Sequence, residues 1–357
     1  MKVAFRVDAS TVIGSGHVMR CLTLADALAR RGARCRFIGR AHRGNLHSVI
    51  SSRGFEICSL PADETCSTWF GADPEEDARQ TAVAVGDAVD WLVVDHYAID
   101  TTWEQRLRPL CRNLMVIDDM ADRHHDCDLL LDQNWLGATG GSRYDALVPA
   151  ECEKLLGPHY ALLKPEYAEL RATMPERSGT VRRVLVFMGG SDSDNQTAKA
   201  LRALMHPVLT GLDVDVVIGP NHPDVDGIRD LVAQRPRTTL HFSLPSLAPL
   251  MAEADLMIGA GGSTAWERMC LGLPTIVVSI AANQAPISAA LMTDGYIVFA
   301  GEMGEVSSAD IANRVLNCMS DAAALCRASL RMQALVDGAG AARVADVMCE
   351  WEVMHAA

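Results

Sequence analysis

Three runs constrain the fold of this chain more than anything else in it: Trp91-Leu92-Val93-Val94-Asp95, Leu114-Met115-Val116-Ile117-Asp118 and Leu129-Leu130-Leu131-Asp132. Each is continuously apolar and then closes on a carboxylate. A strand with one face in water alternates apolar and polar residues, so an unbroken apolar strand must be covered on both faces. Such strands belong to parallel sheets sandwiched by helices, whose carboxyl ends form the ligand-binding edge. Asp95, Asp118 and Asp132 fall at that edge.

The rest of the chain alternates in the same way. Lys2 to Val7 read as a strand, and a helical pattern starts at about Val18, with Leu22, Ala25, Leu28 and Ala29 at helical spacing and Gly32 ending it. A strand at Cys35 to Ile38, a helix at about Leu46 to Ser52 and a strand at Phe55 to Leu60 follow. The stretch from Asn134 to about Gly179 holds Pro149, Pro158, Pro165 and Pro175 and reads as a linker region. The second half begins again with Val184 to Met188, Gly189-Gly190-Ser191 and a helix from about Asn195. Strands at Val214 to Ile218, Leu240 to Phe242 and Asp255 to Ile258 lead to Thr275 to Ile280, read as the last of the set.

A chain of 357 residues exceeds one typical core and fits two domains. The predicted architecture is α/β: two doubly wound Rossmann-like domains facing across a cleft. The predicted bounds are an N-terminal domain over 1–160, a linker over 161–180, a C-terminal domain over 181–335 and a C-terminal helix over 336–357 without an assigned role.

A hydrophobic content of 49% with 22% charged residues describes a globular protein, and a formal net charge of -13 argues against a broad nucleic-acid or anionic-membrane footprint. An anionic substrate stays possible, because backbone N–H groups bind phosphate without lysine. The eleven cysteines are scattered, with no C-x-x-C pair, and read as reduced thiols within helix faces. The start of the chain carries no signal-peptide core and no run reaches the length of a membrane span, so the expected location is the cytoplasm.

The segment Arg6-x-Asp8-x-Ser10-x-x-Ile13-Gly14-x-Gly16-His17-x-x-Arg20 joins the first strand to the first helix. Gly14 and Gly16 allow a tight turn and close approach of a ligand to the backbone. A helix N-terminus presents free N–H groups and partial positive charge, which suits an anion and disfavours imidazolium. His17 is therefore placed to be a neutral base on the lip of an anion cradle. The plainer alternative is a loop histidine capping its helix.

Gly261-Gly262-Ser263-Thr264-Ala265-Trp266-Glu267 is a second such junction. Its glycines and hydroxyls suit a diphosphate, and Glu267 could accept hydrogen bonds from ribose hydroxyls or only stabilise the helix start. Gly189-Gly190-Ser191-Asp192 is similar, but Asp192 and Asp194 set two negative charges near any phosphate; helix capping is the commoner use of such residues and a metal the rarer one. Asp118-Asp119 and His124-His125-Asp126-x-Asp128 invite the same metal reading but show no convergent zinc pattern, and His124 and His125 read as part of a solvated, hydrogen-bonded loop. Met19 where the third glycine would stand, and His17 where the pyrophosphate turn needs small residues, argue against a dinucleotide fingerprint, and Gly261-Gly262-Ser263-Thr264 lacks a Walker lysine.

Taken in order, the N-terminal motif, Val93-Val94-Asp95-His96-Tyr97, Ile117-Asp118-Asp119 with Ala121-Asp122-Arg123, Leu131-Asp132-Gln133-Asn134, Gly157-Pro158-x-Tyr160-Ala161-Leu162-Leu163, Met188-Gly189-Gly190-Ser191-Asp192 and Ala282-Asn283-Gln284 resemble the UDP-2,4-diacetamido-2,4,6-trideoxy-beta-L-altropyranose hydrolases of pseudaminic acid biosynthesis. The resemblance runs from Lys2 to at least Ile297. It implies a glycosyltransferase-B fold without transferase activity, in which a histidine matching His17 activates water to displace UDP from the anomeric carbon without a metal. It also implies that residues matching Tyr97 and Asn283 lie at the sugar, and that one matching Glu267 contacts the uridine.

The expected site is then His17 as catalytic base; Gly14, Gly16, Arg20, Tyr97 and Asn283 at the sugar; and Gly190, Ser191, Gly262, Ser263, Thr264, Glu267 and Gln284 at UDP. A UDP-sugar is the expected small-molecule partner, with no cofactor, metal, nucleic acid or membrane. The oligomeric state is not legible. Asp8, Asp95 and Asp118 are all candidates to assist His17. A UDP-sugar-dependent glycosyltransferase on the same fold and a non-catalytic nucleotide-sugar-binding protein are the alternatives.

Overall fold

The computed structural model describes residues 1–62, 71–135, 137–190, 192–282 and 284–354. They divide into two compact units, one formed by residues 1–134, 138–163 and the C-terminal stretch from 339, the other by residues 135–137 and 164–338. Each is built on one parallel sheet.

In the first unit the strands are β1 (Lys2–Val7), β2 (Arg34–Arg40), β3 (Glu56–Leu60), β4 (Val89–Asp95), β5 (Cys111–Ile117), β6 (Leu129–Asp132) and β7 (Glu153–Leu156), in the spatial order β3-β2-β1-β4-β5-β6-β7. The apolar runs occupy its centre for the reason their sequence gives. Trp91 and Val93 of β4 enter a core on one face with Phe5, Met115, Ile117, Leu129 and Leu131. Leu92 and Val94 enter the opposite core with Ala4, Ile38, Leu114, Val116 and Leu130. The chain order reverses between β1 and β4, so their carboxyl ends flank the crevice where open α/β sheets take ligands.

In the second unit the strands are β8 (Arg183–Phe187), β9 (Asp213–Ile218), β10 (Thr238–Phe242), β11 (Leu256–Ala260), β12 (Thr275–Ser279) and β13 (Val298–Glu302), ordered β10-β9-β8-β11-β12-β13. The reversal here lies between β8 and β11. The glycine turns after these two strands, Gly189-Gly190 and Gly261-Gly262, therefore sit at the corresponding crevice. Gly219, at the end of β9, passes so close to Gly190 that a Cβ there would stand 2.0 Å from the Gly190 carbonyl oxygen. Only a glycine permits that approach.

Several expectations need correction. The helix after β1 runs Gly16–Ala29, two residues earlier than its apolar pattern suggests, which makes His17 its second residue. The stretch read as a linker contains β7 and a helix at Pro165–Thr173, whose Pro165 fixes the first turn and whose Tyr167 is buried. Thr275 to Ile280 does not close the second sheet, because β13 follows at its edge with a register shift against β12 between Val277 and Val278. A helix at Pro74–Val85, overlooked in the sequence, is announced by Asp73, whose carboxylate accepts from the N–H groups of Glu75 and Glu76, and by Pro74 in its first turn.

The C-terminal helix Gly340–Met354 belongs to the first unit. Ala341, Val344, Ala345 and Met348 enter the same core as Leu24 and Leu28 of the helix Gly16–Ala29, and Arg31 pairs with Asp346 at 2.7 Å. Met348 is fully buried, so Met348→Ala should cost about 2–5 kcal/mol by lost burial and a residual cavity. Leu330→Ala, on a side chain that is 52% exposed, should stay within about 0.5 kcal/mol. Urea denaturation of the two variants checks both.

Candidate active site

The parallel register of the first sheet assembles its site. β1 and β4 pair with Val7 opposite Asp95, so the carboxylate that ends β4 stands beside the chain as it leaves β1. That chain turns tightly: Gly14 donates to the Ser10 carbonyl at 2.9 Å, and the Ser10 hydroxyl accepts from the N–H groups of Val12 and Ile13 at 3.1 and 2.9 Å. Gly14 takes φ +83°, a conformation few other residues tolerate. The helix then starts at Gly16 with no side-chain cap on its N-terminal N–H groups.

His17, Arg20 and Cys21 stand three and four positions apart and so share one helix face. All three reach Asp95. His17 Nδ1 lies 2.6 Å from Asp95 Oδ1, and Arg20 donates from Nε to Oδ2 and from Nη2 to Oδ1, both at 2.6 Å. The Cys21 thiol is 3.5 Å from Oδ2. Burial alone would raise the Asp95 carboxyl, but Arg20 and then His17 outweigh it and hold it well below the usual carboxylate range. An ionised Asp95 accepts only, so Nδ1 carries the ring hydrogen and the Nε2 lone pair is left to take a proton. Nε2 has no hydrogen bond among the described residues. The ring is buried to 7% exposure and meets the edge of Tyr97 at 4.7 Å between centroids. Tyr97 in turn hydrogen-bonds to Asp119, and burial followed by the Asp119 charge pushes its hydroxyl pKa up.

The other two carboxylates considered as partners are engaged elsewhere. Asp8 pairs with Arg6 at 2.8 Å and accepts from the Arg40 N–H at 2.6 Å, while Arg6 and Arg40 both also bind Asp77 of the overlooked helix. His96 stands 3.4 Å from Asp8, and burial, opposed by the Asp8 charge, lowers its pKa to about 4. Asp118 pairs with Arg123 at 2.9 Å and accepts the Tyr144 hydroxyl hydrogen at 3.0 Å. Arg20, expected at the sugar, binds both Asp95 oxygens and reaches Asp119 at 3.4 Å. His124 is exposed as expected of a solvated loop, but His125 is buried with Nδ1 2.6 Å from Glu104.

In the second unit the helix Thr264–Cys270 follows β11, and Ser263 at its start makes no capping hydrogen bond. Gln284 Oε1 accepts from the N–H groups of Gly261 at 3.2 Å and Ile280 at 3.1 Å, tying the β11 and β12 turns together. Glu267 is half-buried and hydrogen-bonded to Tyr167; burial raises its pKa to about 7 against the opposing effect of that bond. Asp192 caps the helix Gln196–Leu204, accepting from Gln196 and Thr197 N–H groups at 2.8 Å each. Its carboxylate is thereby turned onto the helix. Ser191 and Asn283 lie outside the described residues.

Asp77 and the contacts of Asp119 with Arg20 and Tyr97 are not legible in the sequence. Asp77 lies in a helix whose capping signals went unread, and Asp119 is shadowed by its neighbour in Asp118-Asp119, with nothing local to separate the two.

No family model matches the chain. It is 25% identical over 299 residues to the UDP-2,4-diacetamido-2,4,6-trideoxy-beta-L-altropyranose hydrolase of Campylobacter jejuni, covering 84% of this chain and 98% of that one. An uncharacterised protein of Methanocaldococcus jannaschii is 24% identical over 283 residues, covering 78% of this chain and 55% of its own length, so the chain spans about half of that relative. Among solved structures, Medicago truncatula UGT71G1 complexed with UDP-glucose superposes with a TM-score of 0.66 at 14% identity over 97% of this chain and 98% of its own. The calicheamicin glycosyltransferase CalG4 superposes with a TM-score of 0.63 at 18% identity over 100% and 99% of the two chains. The fold is that of the glycosyltransferase-B class, with two Rossmann-like units.

The raised Glu267 has a consequence for stability. Its folded pKa of about 7 exceeds the ordinary 4.5, so the folded state holds this proton where the unfolded chain has released it. Stability therefore falls as pH rises from about 4.5 to about 7, by up to about 3 kcal/mol for a shift of this size. Glu267→Gln should flatten that part of the slope in denaturation midpoints measured from pH 5 to 8. An unchanged slope would assign it to other groups.

Proposed function

We propose that this protein hydrolyses a UDP-linked 2,4-diacetamido-2,4,6-trideoxy sugar to UDP and the free sugar, with inversion at the anomeric carbon, as a step of pseudaminic acid biosynthesis. The observation that carries the reading is the His17–Asp95 pair with Nε2 left unbonded. His17 Nε2 takes a proton from water as the water oxygen bonds to the anomeric carbon. The bond from that carbon to the β-phosphate oxygen breaks and its electron pair leaves with UDP. General base catalysis of this kind contributes about 10²- to 10⁴-fold. Tyr97, together with Gly14, Gly16 and Asn283, is proposed to face the sugar.

The glycine turns are proposed to take UDP: backbone N–H groups of Gly190 and of Gly262 to Thr264, with Ser191 and Ser263, stabilise the leaving diphosphate. Glu267 takes the ribose hydroxyls. Gln284 contributes chiefly by holding the Gly261 turn. The Campylobacter relative supports the substrate class, and its coverage of nearly that whole enzyme favours a like activity. The reading has no step that requires a metal.

A UDP-sugar-dependent glycosyltransferase is the second reading, favoured by the solved neighbours that carry that name. The two differ in acceptor requirement. Among the described residues no helix is long and apolar enough to cross a membrane, and the chain's net charge of -13 argues against a broad footprint on anionic lipid.

A panel of UDP-diacetamido sugars, assayed for UDP release in EDTA without an acceptor, should show turnover. The proposed roles then separate in kinetics. His17→Asn should keep UDP affinity while kcat falls at least about a hundredfold. Glu267→Ala should mainly raise KM, by an amount equivalent to ~1.5–3 kcal/mol above pH 7, where the carboxylate is ionised and its bonds are charge-assisted. A His17→Asn variant with near wild-type kcat would remove His17 from the role of base.

A further inference from the structure

Arg20 looks like a substrate contact in the sequence, three residues after the base. In the structure its guanidinium grips Asp95 with two hydrogen bonds of 2.6 Å, reaches Asp119 at 3.4 Å and lies with Nη2 3.1 Å from His17 Nδ1. Nδ1 and Nη2 are both donors to Asp95 Oδ1, so their 3.1 Å approach is two donors converging on one acceptor.

The charges around His17 make this arrangement matter. Asp95 faces it from the end of β4, Arg20 and Cys21 from its own helix, Tyr97 and His96 from the turn after β4, and Asp119 from the turn after β5. Behind these, Asp8 is already paired with Arg6. A lone buried aspartate against an imidazole would stabilise imidazolium and fill the base with a proton before any substrate arrived. A cation on the same carboxylate, 3.1 Å from the ring, opposes that.

We propose that Arg20 is a positioning residue for the His17–Asp95 pair rather than a substrate contact: it pins both Asp95 oxygens and cancels the carboxylate charge, so that Asp95 fixes the ring's tautomer without holding the ring protonated. Through Asp119 the same guanidinium also ties Tyr97 to the pair. This inference rests on the role of base given to His17 above.

Two variants test it in the unliganded protein, by nitrogen-15 NMR titration of the His17 ring. Arg20→Met keeps an unbranched apolar stem and removes the guanidinium with its charge, and should hold the ring protonated to a pH at least about one unit above wild type. Arg20→Lys keeps the charge and should titrate near wild type. If Arg20→Met does not fold, the double variant Arg20→Met, Asp95→Asn buries no unpaired charge and carries the test. It should titrate within about half a unit of wild type, because two cancelling charges are removed together. A titration unmoved in Arg20→Met, or displaced by a unit or more in the double variant, overturns the proposal.

In turnover, Arg20→Met should lose about tenfold in kcat at neutral pH and recover it at higher pH, with KM changed less than threefold. A KM raised tenfold or more with kcat retained would make Arg20 a substrate contact after all. The NMR arm needs no substrate, so absence of UDP-sugar hydrolysis would sink the proposed function without deciding this point.

Discussion

The Asp95 carboxylate is the interaction on which the rest of the first unit's site depends. It lies at the end of a strand buried on both faces, and its oxygens collect donors from His17, Arg20 and Cys21 on one helix face. Removing such a charge from water costs several kcal/mol, which is recovered only when geometry and hydrogen bonding are both good. Asp95 meets that condition with three contacts of 2.6 Å. Neither the helix nor the strand could supply it alone: the pairing of Val7 with Asp95 sets the distance, and the glycine turn after β1 sets the angle at which the helix begins.

A second buried ion cluster lies next to the first without sharing its chemistry. Arg6, Asp8, Arg40 and Asp77 join β1, β2 and the helix Pro74–Val85, and Trp103 donates to Asp77 at 3.0 Å. Asp8 ends β1 much as Asp95 ends β4, yet it is paired with Arg6 and the Arg40 N–H and stands beside His42 and His96, not beside His17. Equal positions at the same sheet edge therefore carry different roles, decided by which cations the neighbouring elements deliver. His96 completes the contrast: with its pKa lowered to about 4 it stays neutral beside Asp8 over the physiological range.

This division explains what could be read in advance. The apolar runs ending at Asp95, Asp118 and Asp132 announced both the parallel sheet and its ligand edge, because double-sided burial leaves an unmistakable pattern in residue type. The glycine junctions before His17 and Glu267 were legible for a like reason, since a tight turn restricts residue choice. Which aspartate serves His17 was not legible: Asp8, Asp95 and Asp118 all end strands, and only the register separates them. The Gly340–Met354 helix was equally opaque, because its docking against the helix Gly16–Ala29 is a contact across almost the full length of the chain. β13 escaped because its residues are half-buried or exposed and its pairing is irregular.

If His17 is the base for water at a carbon centre, the oxygen of that water must end in the sugar. The UDP-diacetamido sugar should be turned over in oxygen-18 water without acceptor and both products weighed by mass spectrometry. Because the free sugar exchanges its anomeric oxygen slowly, it is reduced with borohydride at once. One label in the sugar and none in UDP is the expected result; label in the UDP phosphate, or no release of UDP until an acceptor is added, would rule out His17-assisted hydrolysis at carbon.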